Sequence, residues 1–107
     1  MRDFQSLCQI RRSYRKYTNQ PVEQEKLDYI IRCALMSPAG KRMNPWHFVV
    51  IKNEEILRQL AGCRTYGSGM FDTAMAGIVV AADTSVIDTW QCDAAIAAQN
   101  IWLAATD

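Results

Sequence analysis

Three arginines crowd one serine near the start of the chain: Arg11, Arg12, Ser13 and Arg15, in the run RRSYRK. Guanidinium groups grip a phosphate through paired hydrogen bonds, and a serine hydroxyl adds a short donor. A phosphate monoester carries about two negative charges at neutral pH, so two or three arginines would neutralise it. The same residues also read as a solvated basic turn, or as a patch for nucleic acid.

A second stretch with chemical potential covers residues 37–46, SPAGKRMNPW. Pro38, Gly40 and Pro45 fix its backbone. Ala39 and Gly40 are small enough to let a flat ring come close. Lys41 and Arg42 supply donors. Asn44 offers a donor and an acceptor, which suits the edge of a heterocycle with alternating C=O and N–H groups. The plainer reading is a rigid loop leading into a strand, with Trp46 packed in the core. His47 fits a strand residue better than a ligand or an acid/base.

No rival chemistry stands out. Ser13 and Ser37 lack a Gly-x-Ser-x-Gly setting, and the short GSG at 67–69 is no dinucleotide fingerprint. The carboxylates are scattered and sit mostly at helix starts. Cys8, Cys33, Cys63 and Cys92 form no Cys-x-x-Cys pair, and His47 is the single histidine, so no metal site is expected. Each cysteine lies among apolar neighbours and reads as a small buried thiol, reduced in a cytoplasmic protein. Catalytic side chains are therefore not predicted.

The elements that must position these residues follow from periodicity. Residues 3–12 read as a helix capped by Asp3, with Phe4, Leu7 and Cys8 on one face. Residues 22–36 give a stronger pattern, with Leu27, Ile30, Ile31, Ala34 and Leu35 on one stripe and Glu23 and Glu25 in the first turn. Residues 47–52 predict a strand. Asn53 caps a short helix with Ile56, Leu57, Leu60 and Ala61 on its apolar side. Residues 62–73 read as loop, and residues 76–82 as a central strand covered on both faces. Ser85 with Asp88 suggests a cap for a last helix over 86–105. From Ala94 to Ala105 that helix is apolar on most sides, so it belongs in a core or a subunit interface. It breaks off at Asp107 without a stop signal, which predicts a chain cut short.

The 107 residues suit one small domain. Half are hydrophobic and 21% are charged, which excludes disorder. The net charge of +1 and the lack of a second basic patch point away from nucleic acid. No leader-like apolar region is visible, and apolar runs such as 94–98 are too short to span a membrane.

Taken together, RRSYRKY, some twenty residues of amphipathic helix, and SPAGKRMNPWHFVV resemble the nitroreductase family, as does the later ADTS…DAAIAAQNIWLAA. The resemblance covers essentially the whole chain. It implies an α+β fold, a nitroreductase-like sheet flanked by helices, incomplete because the C-terminal part is absent and truncated within the long central helix. It implies a homodimer with FMN at the interface, passing electrons from NAD(P)H through FMN to a small organic acceptor by a ping-pong scheme. Nitroaromatics, quinones, enones and halogenated aromatics all suit the family.

The resemblance also assigns residues. The family's Arg-Arg-Ser-x-Arg motif, which holds the FMN phosphate and ribityl chain, maps to Arg11, Arg12, Ser13 and Arg15. The loop that reaches the flavin ring from the neighbouring subunit maps to Pro38, Ala39, Gly40, Lys41 and Asn44. Relatives carry serines where this chain has Ala39 and Gly40, so backbone contacts alone carry over there. A reading from a different class remains: a non-catalytic interaction module, with residues 11–16 as a docking patch and helix 94–105 as an oligomer interface.

Overall fold

Two helices precede alternating strands and helices in a computed structural model that describes residues 2–107. The order is α1 (Phe4–Ile10), α2 (Gln24–Leu35), β1 (Trp46–Ile51), α3 (Glu54–Ala61), β2 (Gly77–Ala82) and α4 (Trp90–Thr106). Short 3-10 turns occupy Gly40–Arg42 and Gly69–Asp72. The fold is α+β, with the two strands paired in one sheet. The amide of Asp83, just past β2, donates to the carbonyl of Pro45, just before β1, at 2.9 Å. The end of one strand therefore lies beside the start of the other, which makes the pair antiparallel.

The chain divides into two units. The first holds the chain up to Arg11, Gln24–Phe48 and Val80–Asp107. Here α2 packs on α4. Leu27, Ile30 and Ala34 are the buried positions of α2, the 3–4–7 spacing that places one stripe of a helix against a neighbour. On α4 the buried positions are Asp93, Ala97 and Ala104. Alanines on the contact face let two helix backbones approach closely. At the chain ends, Arg2 donates to Asp107 and to the Thr106 carbonyl. The Tyr29 hydroxyl donates to Asp107 at 2.9 Å, which pushes Tyr29 up to about 12, and the Arg2 amide, with Tyr29 second, holds Asp107 below the usual carboxylate range.

The second unit holds Arg12–Glu23 and Val49–Val79. Its centre is Leu57 on α3, one of the two largest fully buried side chains. Gly77 packs tightly beside it, since a Cβ there would come within 3.1 Å of both Leu57 Cδ2 and Phe71 Cε1. Arg58 Nη1 donates to the carbonyls of Phe71 and Ala74 at 2.7 and 2.8 Å. Ser68, also buried, donates to the Ala61 carbonyl at 2.8 Å. These bonds tie α3 to the Gly69–Asp72 turn.

The caps form as the sequence suggests. Asp3 accepts from the Ser6 amide at 2.9 Å and Asn53 from the Ile56 amide at 3.0 Å. Other expectations are corrected. Cys8, Cys63 and Cys92 are exposed and Cys33 is half-buried, because apolar neighbours in sequence do not decide which way a helix or loop faces. α4 starts at Trp90, not at 86. Ser85 is spent on Asp83 instead, through its amide at 2.9 Å and its hydroxyl at 2.6 Å, and these bonds hold the Asp83 carboxyl below its usual range. In β2 Gly77 is buried and the following positions alternate between half-buried and exposed, with Val79 39% exposed. A central strand needs neighbours on both sides, and this sheet has two strands. Within one chain α4 is covered along one face, and Ile96 and Trp102 stay open, which leaves the subunit-interface reading of this helix standing. No helix among the described residues is long and apolar enough to cross a membrane.

Candidate functional site

The loop after α2 lies wholly in the first unit. It leaves the helix through Ser37, whose amide donates to the Ala34 carbonyl at 3.1 Å. It enters β1 through Pro45 and Trp46, both buried. Its ends are thus fixed by packing. Between them, Lys41, Arg42 and Asn44 adopt left-handed backbone, with φ of 51°, 58° and 47°. Asparagine tolerates that region, whereas lysine and arginine pay about 1 kcal/mol or more for it. Such conformations persist where the surroundings enforce them, and they gather at ligand-binding places. The loop's own bonds are modest: the Arg42 amide donates to Ala39 and the Met43 amide to Gly40, each at 3.1 Å.

Further support comes from α4. The Gly40 amide donates to Asp93 Oδ1 at 3.1 Å. The Thr89 hydroxyl donates to Asp93 Oδ2, also at 3.1 Å. Asn100 donates from Nδ2 to the Ser37 hydroxyl at 2.7 Å. Gly40 has no room for a side chain, because a Cβ would collide with Thr89 Oγ1 and lie 3.0 Å from Ile87 Cδ1. The small residue at position 40 therefore seats the loop on the segment before α4. Pro38, Lys41, Arg42 and Asn44 are exposed, and Ala39 is half-buried. Asp93, Thr89 and Asn100 support the loop from outside the stretch 37–46 that the sequence singles out. The available signal was a threonine and an aspartate four residues apart at the head of an otherwise apolar helix.

The basic residues fall differently. Arg12, Ser13 and Arg15 lie in the second unit, on a stretch with no regular secondary structure, and all three are exposed. Ser13 and Arg15 make no hydrogen bond or ion pair among the described residues. The stretch is tied down just beyond them, where the Tyr17 amide donates to Thr73 Oγ1 at 3.0 Å. Arg11 is the exception within the motif. It closes the first unit, and its guanidinium carbon sits 4.2 Å from the centre of the Trp102 ring. A cation over an indole face is a favourable contact of its own. No group of three or more His, Cys, Asp or Glu residues among the described residues could hold a metal ion.

This arrangement supplies hydrogen-bond donors for an anion on the basic stretch, and a pinned, left-handed loop with an exposed amide side chain at Asn44. Taken separately, guanidinium groups and a hydroxyl suit a phosphate, and an exposed amide side chain suits the edge of a heterocycle such as the FMN ring. Comparisons with known proteins identify the family. A profile of the nitroreductase family matches residues 9–107. A protein of Archaeoglobus fulgidus, provisionally named an NADH dehydrogenase/NAD(P)H nitroreductase, is 33% identical over 98% of this chain and 62% of its own length. The solved structure of an FMN-dependent nitroreductase from Clostridium difficile matches with a TM-score of 0.91 at 42% identity, over 94% of this chain and 58% of that one. A provisionally named nitroreductase of Desulfovibrio desulfuricans, solved in complex with FMN, matches with a TM-score of 0.84 at 28% identity, over 94% and 60%. The chain spans about three-fifths of the length of these relatives.

Proposed function

Because the chain belongs to the nitroreductase family, we propose that it binds FMN and supports NAD(P)H-dependent reduction of a small organic acceptor by a ping-pong scheme. The observation that carries this reading is the basic stretch, where Ser13 and Arg15 stand exposed and unengaged beside Arg12. FMN, when bound, supplies the redox chemistry, taking and returning two electrons.

The protein's part is to bind and orient. Arg12, Ser13 and Arg15 hold the phosphate with charge-assisted hydrogen bonds. Across a dimer, the same loop of a second copy offers backbone at Pro38, Ala39 and Gly40 to the ring, and its Asn44 offers both a donor and an acceptor to the ring edge. Lys41 and Arg42 bring positive charge to the loop, which favours electron density gathering beside it. Arg11 contributes charge from its place over Trp102. A second copy of the chain completes the site in this reading. Val49, Val50, Val79, Ile96 and Trp102 are each more than a third exposed, apolar surface suited to being covered.

The test is spectroscopic. Protein loaded with FMN and kept free of oxygen should lose its absorbance at about 450 nm when NADH or NADPH is added, and a quinone or nitroaromatic should restore it. Flavin that stays fully coloured with both nucleotides would count against the oxidoreductase reading.

A further inference from the structure

We propose that Asp93 is a positioning residue, which holds the loop of residues 38–44 in its ligand-ready shape without touching the ligand. The inference rests on the FMN reading above. Asp93 is 3% exposed. A buried carboxylate is unfavourable unless its oxygens are satisfied, and here each oxygen has a donor. Oδ1 takes the Gly40 amide and Oδ2 takes the Thr89 hydroxyl. Its place in the first turn of α4 lets the helix dipole stabilise the charge.

Packing alone does not call for a carboxylate there. Asp93 shares the buried face of α4 with Ala97 and Ala104, and a small apolar residue would serve that contact equally well. What it would not do is receive the Gly40 amide, which comes from 53 residues away in the chain. Asn100, two turns along the same face, reaches Ser37. One helix therefore grips the loop at two points that bracket Pro38 and Ala39. The left-handed run begins immediately after the second grip, at Lys41. Residues in strained backbone relax unless something over-determines them, and Asp93 supplies that constraint.

Amide hydrogen exchange and FMN titration on the full chain test the assignment together. In Asp93→Ala, exchange at Gly40 and the following loop amides should speed up about tenfold or more, while α2 and α4 keep their rates, and the Kd for FMN should rise about tenfold. Asp93→Asn keeps an oxygen for the Gly40 amide and should recover most of both effects. If Asp93→Ala does not fold, Asp93→Asn and Asn100→Ala provide the comparison, and Asn100→Ala should loosen the Ser37 end. Unchanged exchange at Gly40, or exchange that rises equally along α2 and α4, would overturn the proposal. A loosened loop with unchanged FMN affinity would overturn its link to the ligand. A parent chain that takes up no FMN would defeat the functional reading instead, and the exchange data would still decide whether Asp93 fixes the loop.

Discussion

The double variant Arg12→Ala, Arg15→Ala is expected to bind FMN roughly a hundred- to a thousandfold more weakly than the parent chain. A hydrogen bond to a charged group contributes about 1.5–3 kcal/mol, and each tenfold in affinity corresponds to about 1.4 kcal/mol. Both arginines are exposed, so screening keeps the sum toward the lower end. Neighbouring charges on one phosphate are also not additive. Riboflavin, which lacks the phosphate, serves as the control. Its affinity should change little in the double variant, and the difference between the two flavins should shrink as salt is raised. Equal losses for both flavins would mean that these arginines do not hold the phosphate. Arg11→Ala should behave differently. Its guanidinium lies over Trp102, a contact of about 0.5–1 kcal/mol at an open site, so part of its loss appears as stability rather than affinity.

The largest expected effect on stability belongs to Leu57→Ala. Leu57 is 1% exposed and central to the second unit. Removing a buried leucine side chain costs about 2–5 kcal/mol, the range depending on how far the surroundings collapse. Collapse is restricted here. Gly77 already sits against Leu57 without a side chain of its own, and α3 is held to the Gly69–Asp72 turn by Arg58 and Ser68. A domain of this size has total stability of about 5–15 kcal/mol, so the thermal midpoint should drop by roughly 10 °C or more. The same unit anchors the basic stretch through Tyr17 and Thr73. Flavin retention should therefore weaken as well, with no ligand contact removed. Calorimetry with and without FMN would measure both effects, and a midpoint shift below about 2 °C would show that Leu57 is not central to that unit.

Local patterns were the legible part of this fold. The stripe Leu27, Ile30 and Ala34 is buried as its spacing predicts, and Asp3 and Asn53 cap helices because their side chains reach amides three residues on. Both strands lie within a residue or so of their apolar runs. Failures came where a neighbour distant in sequence decides the outcome. The bond from Gly40 to Asp93 is set by the packing of α2 on α4, which no local pattern encodes. Arg11 looks identical to Arg12 in sequence, and the approach of Trp102 to Arg11 is not written in the local pattern. Exposure of three cysteines and of alternate β2 positions has the same origin, since burial depends on what packs against a residue. The expected cap at Ser85 failed for a local reason instead: Asp83, two residues before it, takes the serine amide and hydroxyl.

Titration of the unmodified chain with FMN, followed by the thermal midpoint, tests the central claim most directly. A ligand that binds the folded state alone stabilises it by about 2.7 kcal/mol at a hundred times its Kd. The midpoint should climb steadily with FMN, by roughly 10 °C at that excess, and by distinctly less with riboflavin at equal concentration. A midpoint that ignores FMN, or that rises equally with both flavins, would contradict the account.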